Sequence, residues 1–266
     1  MNETLTRTLS GLVYIAILIS ASLQLNSFLF LFGAFLLVMV AEFCDLVNLK
    51  KILPLTIAAA GYVLFSYFSV SKSSELLLLI ATLFVSVKAV LFLFNHNKQS
   101  LDHTSKYVYL IGYVILPVIL ITKIPNADNI FNPKVIISIF VLIWTNDTFA
   151  FIVGKTIGKT KLFERISPKK TIEGFLGGLL FAVIFSVLIA KYYIMHPIYQ
   201  WVIIALILSL FGTVGDLVES KFKRMAEVKD SGKIMPGHGG MLDRLDSIIF
   251  AAPFVFLFYQ ILYYVS

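Results

Sequence analysis

The segment Ser220–Asp246 concentrates charged residues and glycines in a chain that is otherwise strongly apolar. Carboxylates can bind a hard cation such as Mg²⁺, lysines and arginines can neutralise phosphate oxygens, and glycines let backbone N–H groups approach a ligand closely. The residues of these three kinds are Asp230, Asp243, Asp246; Lys221, Lys223, Arg224, Lys229, Lys233, Arg244; and Gly232, Gly237, Gly239, Gly240. The combination indicates phosphoryl chemistry, and the apolar stretch that follows at once places it at a membrane surface.

Carboxylates also flank this segment on the two apolar stretches beside it. Asp216 lies four residues before Ser220, so the two side chains share a helix face. Asp243 and Asp246 open the following stretch, where a helix N-terminus favours negative charge. Helix capping alone would also explain both residues, and Asp246 is the better-placed cap.

A second polar group lies earlier in the chain. Asn146 and Asp147 fall deep in an apolar stretch, where polar side chains are costly and therefore suggest a role. A hydrogen bond between helices is the alternative explanation.

The segment Ser167–Gly174 precedes another apolar stretch. Lys169 and Lys170 could grip phosphates, while Ser167 or Thr171 caps the following helix. A solvated pair of lysines at the cytoplasmic face would explain the same pattern.

The composition predicts a polytopic membrane protein. Of 266 residues, 59% are hydrophobic and 14% are charged, with a mean hydropathy of +0.90, whereas soluble domains carry about 25% charged residues. The net charge of +7 comes from basic residues clustered in loops, which fits anionic lipid headgroups rather than nucleic acid. The single cysteine, Cys44, excludes an internal disulfide and a multi-cysteine metal site.

Nine stretches approach the roughly 20 apolar residues that a membrane-spanning helix needs. They cover approximately 10–25, 27–48, 52–71, 75–95, 106–123, 133–154, 172–191, 198–219 and 246–265. The predicted fold is an all-α helical bundle in one membrane domain over 1–266. Residues 1–130 are interpreted as spans for packing and lipid contact, and 131–266 as the catalytic spans and cytoplasmic loops.

Lysine and arginine are distributed unequally between the two sides of the membrane. With these stretches, 17 lie on the side of the N-terminus and 4 on the other side, which predicts a cytoplasmic N-terminus. The polar loops 155–171 and 219–245 then share the cytoplasmic face. Glu42 and Asp45, near the cytoplasmic end of their stretch, could face the same cavity.

The polar segment resembles the signature of the phosphatidate cytidylyltransferase (CDP-diacylglycerol synthase) family. The matching positions are Ser220, Lys223–Arg224, Lys229–Asp230, His238–Gly240 and Asp243–Asp246, with Met235 a mild departure. The runs around Asp147 and over Ser167–Gly174 also resemble that family, so the resemblance covers about residues 141–250.

The resemblance implies transfer of CMP from CTP to phosphatidic acid, giving CDP-diacylglycerol and pyrophosphate. It implies that Asp216 and Asp243 bind Mg²⁺, with a second cation left open, and we expect His238 to donate a hydrogen bond to phosphate. The expected catalytic residues are Asp216, Lys223, Arg224, Lys229, Asp230, His238, Asp243, Arg244 and Asp246. The expected substrate-binding residues are Asp147, Ser167, Lys169, Lys170, Glu173, Ser220, Gly239 and Gly240.

The expected setting is the inner (plasma) membrane, crossed several times, with the active site facing the cytoplasm. The expected partners are CTP, phosphatidic acid and membrane lipids, without nucleic acid; a homodimer is left open. Two alternatives remain. One is a CTP-dependent enzyme on another lipid, such as an isoprenoid phosphatidate or a polyprenol. The other is a transporter with an ion path through Lys88, Asp147 and Asp216, which the absence of an internal repeat disfavours.

Overall fold

The protein is built from nine helical segments over the residues that the computed structural model describes, 3–95, 101–126 and 130–265, with side chains for 7–95, 101–126 and 130–262. The helices are α1 (Glu3–Ser22), α2 (Leu25–Val47), α3 (Ile52–Tyr62), α4 (Lys72–Phe94), α5 (His103–Tyr109), α6 (Leu116–Lys123), α7 (Pro133–Ile157), α8 (Ile172–Leu188), α9 (Ile198–Met225) and α10 (Leu242–Val265). Wider π-helical turns extend α3 (Val63–Tyr67), join α5 to α6 (Leu110–Ile115) and extend α8 (Ile189–Ile194). Each segment corresponds to one of the nine predicted stretches.

Seven of the segments within the described residues are long and apolar enough to cross a membrane. The other two, Arg7–Ser22 and Ile52–Tyr67, are apolar but shorter. The prediction of an all-α polytopic bundle is therefore confirmed. The cytoplasmic N-terminus stays a prediction, and Lys98, one of the residues used for it, lies outside the described residues.

Helix α4 shows how the sequence divides lipid-facing from core positions. Its inward side chains, which include Leu79, Val85, Ala89 and Leu93, are 0–6% exposed. Large apolar side chains recur every three or four residues on its opposite face and are 59–67% exposed: Leu77, Ile80, Phe84, Val87 and Leu91. Since this spacing follows the helical period, one face packs in the bundle while the other is suited to lipid.

The loop predicted over 155–171 contains a small β-hairpin. Strand β1 (Lys161–Phe163) pairs antiparallel with β2 (Ser167–Thr171). Thr171 ends β2 and caps α8, because its Oγ1 accepts a hydrogen bond from Gly174 N at 3.1 Å. Of the two predicted caps, Thr171 is the one used, and Ser167 begins a strand instead.

The helices on either side of the polar segment are longer than the sequence indicated. Helix α9 continues to Met225, and α10 begins at Leu242. The charged residues at the end of α9 can be helical because they find partners inside the protein. Lys221 Nζ, for example, donates to the carbonyl oxygens of Phe92, in the last turn of α4, and Asn95, which follows that helix.

An aromatic cluster holds α9 against the N-terminal half of the chain. The ring of Phe222 lies 5.0–5.6 Å, between centroids, from those of Phe43, Phe92, Tyr109 and Tyr113. These four rings come from α2, α4, α5 and the π-helical turn after α5. The N-terminal helices therefore pack directly against the helix that carries Asp216.

Helices α9 and α10 approach each other closely at Gly215. A Cβ atom at this position would lie 2.6 Å from both the carbonyl oxygen of Asp246 and the Cβ of Phe250. Only glycine fits this spacing. The contact holds Asp216 and Asp246, which neighbour it on the two helices, in a fixed relation.

Candidate active site

A cavity of about 730 Å³ lies among α1, α7, β2, α8, α9 and α10. Part of its wall is apolar, with Ile143, Trp144 and Phe151 among the lining residues. Its ionisable lining residues are Tyr14, Asp147, Lys155, Lys169, Lys170, Asp216, His238, Asp243, Arg244 and Asp246. The structure therefore brings residues from both predicted polar segments into one cavity.

Asp216 forms the link between these two segments. Its Oδ2 lies 2.5 Å from Lys170 Nζ, which β2 carries, and its Oδ1 accepts a hydrogen bond from Ser220 Oγ at 3.2 Å. Asp216 and Ser220 are one turn apart on α9, as their spacing predicted. Both charged side chains are about one-third exposed, so the ion pair can be reached by a ligand in the cavity.

Asp243 is the most heavily hydrogen-bonded carboxylate of the cavity. Its Oδ2 accepts from Ser231 N at 2.8 Å, Ser231 Oγ at 2.9 Å and Gly240 N at 2.7 Å, and its Oδ1 accepts from Lys223 Nζ at 2.6 Å. These contacts tie the loop before α10 to the first turn of that helix. Helix α10 begins at Leu242, so Asp243 and Asp246 both lie inside it rather than at its cap position. The expectation that either residue caps this helix is therefore wrong, and the backbone N–H groups that Asp243 binds precede the helix.

Lys223 is shared between two carboxylates. Its Nζ lies 2.5 Å from Glu219 Oε2, one turn earlier on α9, and 2.6 Å from Asp243 Oδ1. The Lys223 side chain is 11% exposed and that of Glu219 is 1% exposed. Lys223 therefore neutralises Asp243, which lines the cavity, and the buried Glu219, which does not. The sequence prediction of a phosphate-binding lysine did not include this role.

Asp147 and Asp246 enter the cavity from α7 and α10. Asp246 is buried, and its Oδ1 accepts from Ser247 N at 2.7 Å. Asp147 Oδ1 accepts from Asn146 Nδ2 at 3.3 Å. Three spans (α7, α9 and α10) and strand β2 thus contribute carboxylates or lysines to one cavity. Because burying such groups in a membrane is costly, their convergence indicates a functional site.

His238 lies in a tight turn between α9 and α10. Gly237 and Gly239 on either side have φ angles of 76° and 86°, a backbone region that glycine adopts without strain. The turn directs the imidazole to α1, where Nδ1 lies 2.8 Å from Ser10 Oγ. The turn thus joins the loop before α10 to the first helix of the chain.

The imidazole also lies close to positive charge. Arg244 Nη2 donates to the His238 carbonyl oxygen at 3.0 Å. Burial, followed by the charges of Arg244 and Arg7, lowers the pKa of His238 below its ordinary value. The ring is accordingly neutral at physiological pH, with one nitrogen able to donate and the other to accept.

Nine of the predicted site residues do not line this cavity: Ser167, Glu173, Ser220, Lys223, Arg224, Lys229, Asp230, Gly239 and Gly240. Some hold the neighbouring structure together. Glu173 accepts hydrogen bonds from Lys159 N at 3.1 Å and Thr160 N at 3.0 Å, which fixes the start of the hairpin. Arg224 Nη1 donates to Val228 O at 3.0 Å. Their assignment to substrate binding or catalysis stays a prediction.

Sequence reasoning missed the contribution of α1. Gly11, Tyr14 and Ile15 line the cavity, and Ser10 contacts His238. These contacts join positions more than 220 residues apart, so no local spacing indicates them. A tyrosine and a serine within an apolar helix were the only available signal.

The side chains of the cavity fit a hard cation. Asp147, Asp216, Asp243 and Asp246 offer carboxylate oxygens, the ligands that Mg²⁺ prefers, and Lys170 and Lys223 now neutralise two of them. Among the described residues, no group of three or more His, Cys, Asp or Glu side chains is arranged so that it could hold a metal ion. A bound cation would therefore need water or phosphate oxygens as further ligands, which is how Mg²⁺ is commonly held.

Apolar helices that surround a cavity lined by carboxylates and lysines define a polytopic membrane protein with a charged internal site. A comparison with protein families gives the particular group: the model of the cytidylyltransferase family matches residues 4–262. The chain belongs to that family.

Curated relatives agree with this membership. The chain is 44% identical over 156 residues to a phosphatidate cytidylyltransferase of Bacillus subtilis, covering 55% of this chain and 57% of the relative. It is 53% identical over 116 residues to the protein of that name from Staphylococcus aureus, covering 43% and 44%. It is 47% identical over 121 residues to the one from Staphylococcus epidermidis, covering 45% and 46%. The chain thus spans about half the length of the curated relatives it matches.

Proposed function

We propose that this protein transfers CMP from CTP to phosphatidic acid, producing CDP-diacylglycerol and pyrophosphate. The names of its relatives supply the reaction. The observation that carries the proposal is the Lys170–Asp216 ion pair, because it brings the hairpin lysines and the carboxylates of α9 and α10 into a single cavity. That combination suits two phosphate-bearing substrates and a cation.

In the proposed reaction, an oxygen of the lipid phosphate attacks the α-phosphorus of CTP. A new phosphorus–oxygen bond forms, the bond to the oxygen that bridges to the β-phosphorus breaks, and pyrophosphate leaves with that electron pair. The lipid phosphate is already anionic, so the step needs no general base. Positioning and neutralisation of charge are then the main contributions of the protein.

The cavity side chains would divide this work between them. Lys169, Lys170 and Arg244 would contact the phosphate oxygens and hold the two substrates in line. Neutral His238 would donate a hydrogen bond to a phosphate without adding charge. Asp216 would give up its contact with Lys170 when the triphosphate enters, which frees the ammonium group for phosphate.

Asp216 and Asp243 are the residues proposed to hold Mg²⁺. When bound, the ion would neutralise charge on the phosphates of CTP and on the leaving pyrophosphate. Asp216 is the more accessible ligand, since its side chain is 36% exposed and that of Asp243 is 6% exposed. Asp246 and Asp147 are further candidates on the same cavity wall.

We place the reaction at the cytoplasmic face of the inner membrane. The unequal distribution of lysine and arginine supports this orientation, and CTP is a cytosolic nucleotide. The exposed apolar faces of helices such as α4 suit direct contact with lipid. Phosphatidic acid would then reach the cavity from the membrane, while CTP would arrive from water.

The test is release of pyrophosphate from CTP by the purified protein in detergent or liposomes. We expect release to require both phosphatidic acid and Mg²⁺, and to be matched by equimolar CDP-diacylglycerol. Polyprenol and isoprenoid ether phosphatidate serve as alternative acceptors in parallel reactions. A product only with one of these, or no nucleotide consumption with any lipid, would overturn the proposed substrate.

A further inference from the structure

Glu42 is a buried carboxylate of α2, and the described residues that donate hydrogen bonds to it belong to the polar segment Ser220–Asp246. Its Oε1 accepts from Met241 N at 2.9 Å, and its Oε2 accepts from Leu242 N at 2.8 Å and Ser231 Oγ at 3.3 Å. The residue is 7% exposed. Since a buried carboxylate is costly without partners, these three donors account for its place in the core.

The backbone of the loop surrounds this carboxylate closely. A Cβ atom at Gly232 would overlap Glu42 Oε1, and one at Gly240 would lie 2.6 Å from the same oxygen. Glycine at both positions is what lets the main chain approach so near. Gly232 and Gly240 therefore accommodate the side chain of Glu42, a role separate from the ligand binding for which glycines of this segment were predicted.

The hydroxyl of Ser231 bridges Glu42 and Asp243, and its single hydrogen is shared between the two carboxylates. Ser231 Oγ is 3.3 Å from Glu42 Oε2 and 2.9 Å from Asp243 Oδ2. The N–H groups that Glu42 binds belong to Met241 and Leu242, the residues immediately before Asp243. The first N–H groups of a helix have no hydrogen-bond acceptors inside the helix. At the start of α10, the carboxylate of Glu42, from another helix, is the acceptor.

We propose that Glu42 is a positioning residue for the CMP transfer proposed above, on which this inference rests. The carboxylate fixes the start of α10 and the loop of Ser231, and thereby holds Asp243 and Arg244 in place at the cavity. Glutamine could not replace it fully, because an amide offers one acceptor oxygen and directs an NH₂ group at a backbone N–H. The N-terminal half of the chain would thus contribute directly to the geometry of the site.

The test compares Glu42→Gln with Asp45→Asn. Asp45 lies three residues later on α2 and is exposed. The expectation that it could face the cavity is wrong, because it does not line the cavity, and among its described ionic contacts it pairs only with Lys51, at 2.7 Å. Loss of a residue that orients a ligand costs roughly 10- to 100-fold. We expect Glu42→Gln to lower kcat by that factor while KM for CTP changes by less than about threefold, and Asp45→Asn to match wild type.

Hydrogen exchange followed by mass spectrometry gives a readout independent of activity. Glu42→Gln should accelerate exchange over residues 231–245 and leave α7 and α8 unchanged. Glu42→Asp, which retains both acceptor oxygens on a shorter side chain, should recover part of the rate and of the protection. Wild-type kcat and wild-type exchange in Glu42→Gln would overturn the inference.

A third variant covers the case in which Glu42→Gln does not fold. Ser231→Ala removes the hydroxyl shared by Glu42 and Asp243, and should reproduce the loss of kcat in a milder form; wild-type kinetics would then contradict the inference. The two proposals fail differently. If wild-type protein consumes no CTP, the proposed function fails, while the exchange data still report whether Glu42 holds the start of α10.

Discussion

Replacement of Gly215 by alanine would force α9 and α10 apart at the site. The added Cβ would lie 2.6 Å from Asp246 O and from Phe250 Cβ, about 0.8 Å short of the 3.4 Å at which ordinary contact begins. Both obstacles are rigid, since one is backbone and the other is the first atom of a buried side chain. The helices must therefore separate by several tenths of an ångström or more.

This separation should lower both the stability of the protein and its activity. Overpacking of a well-packed interior typically costs about 1–3 kcal/mol of stability. Asp216 and Asp246 adjoin the contact on the two helices, and a displacement of about 1 Å at a reacting site can cost roughly 100-fold in rate. We expect Gly215→Ala to lower the unfolding midpoint in detergent and to reduce pyrophosphate release by about 10- to 100-fold.

Gly212→Ala is the matched control, one turn earlier on the same helix. Its Cβ would lie 3.4 Å from Ser247 Cβ, an ordinary contact, so removal of a helical glycine should be neutral or stabilising by up to about 1 kcal/mol. If Gly215→Ala were as active and as stable as Gly212→Ala, the close packing of α9 on α10 would not set the site geometry.

Three further predictions concern the cavity side chains. Asp216→Asn retains an acceptor for Ser220 but loses the negative charge, and should reduce CMP transfer by roughly 100-fold or more. The transfer is measured as CDP-diacylglycerol formed, and a normal elution profile in size-exclusion chromatography shows that the variant is folded. Activity near wild type would remove Asp216 from the proposed cation site. Lys170→Met should lower kcat/KM for CTP by roughly 10- to 150-fold, the equivalent of about 1.5–3 kcal/mol for a charged hydrogen bond. Lys161→Met, which removes an exposed lysine of β1, should leave kcat/KM unchanged. Equal effects of the two substitutions would contradict the assignment of Lys170. Because the pKa of His238 is lowered, its contribution to stability is complete above about pH 6.5 and is lost as the pH falls from there toward the lowered pKa. His238→Gln should therefore reduce the acid-side drop in unfolding midpoint between about pH 7 and pH 5, and an unchanged drop would contradict this reading.

The number and order of the helices could be predicted because they depend on local properties. A run of apolar residues between charged loops reports its own length and ends, as all nine stretches show. The end of α9 could not be read in this way. Charged residues such as Lys221 and Lys223 were predicted to lie in a loop. They are helical because each has a partner inside the protein: Lys221 donates to the carbonyl oxygen of Asn95 after α4, and Lys223 pairs with the carboxylate of Glu219.

The candidate site was predictable where its residues lie in or beside the two polar segments. Asp216, Lys170 and Arg244 were expected to lie together, and all line the cavity. Glu42 was expected to face the cavity, but it lies against the loop before α10 and does not line the cavity. Ser10 was not expected near the site at all. The partners of both residues lie some 190–230 positions away in the sequence. Such contacts depend on how helices pack in three dimensions, and the only sequence signal for Glu42 was a charge within an apolar stretch.

The most direct test of the account is an experimental structure of the protein with CTP and Mn²⁺, whose anomalous scattering distinguishes the metal from water. We expect the triphosphate in the cavity between β2, α9 and α10, with Lys170 and Arg244 on phosphate oxygens. We also expect the metal on Asp216 and Asp243. A nucleotide bound outside this cavity, or a metal that contacts neither carboxylate, would contradict it.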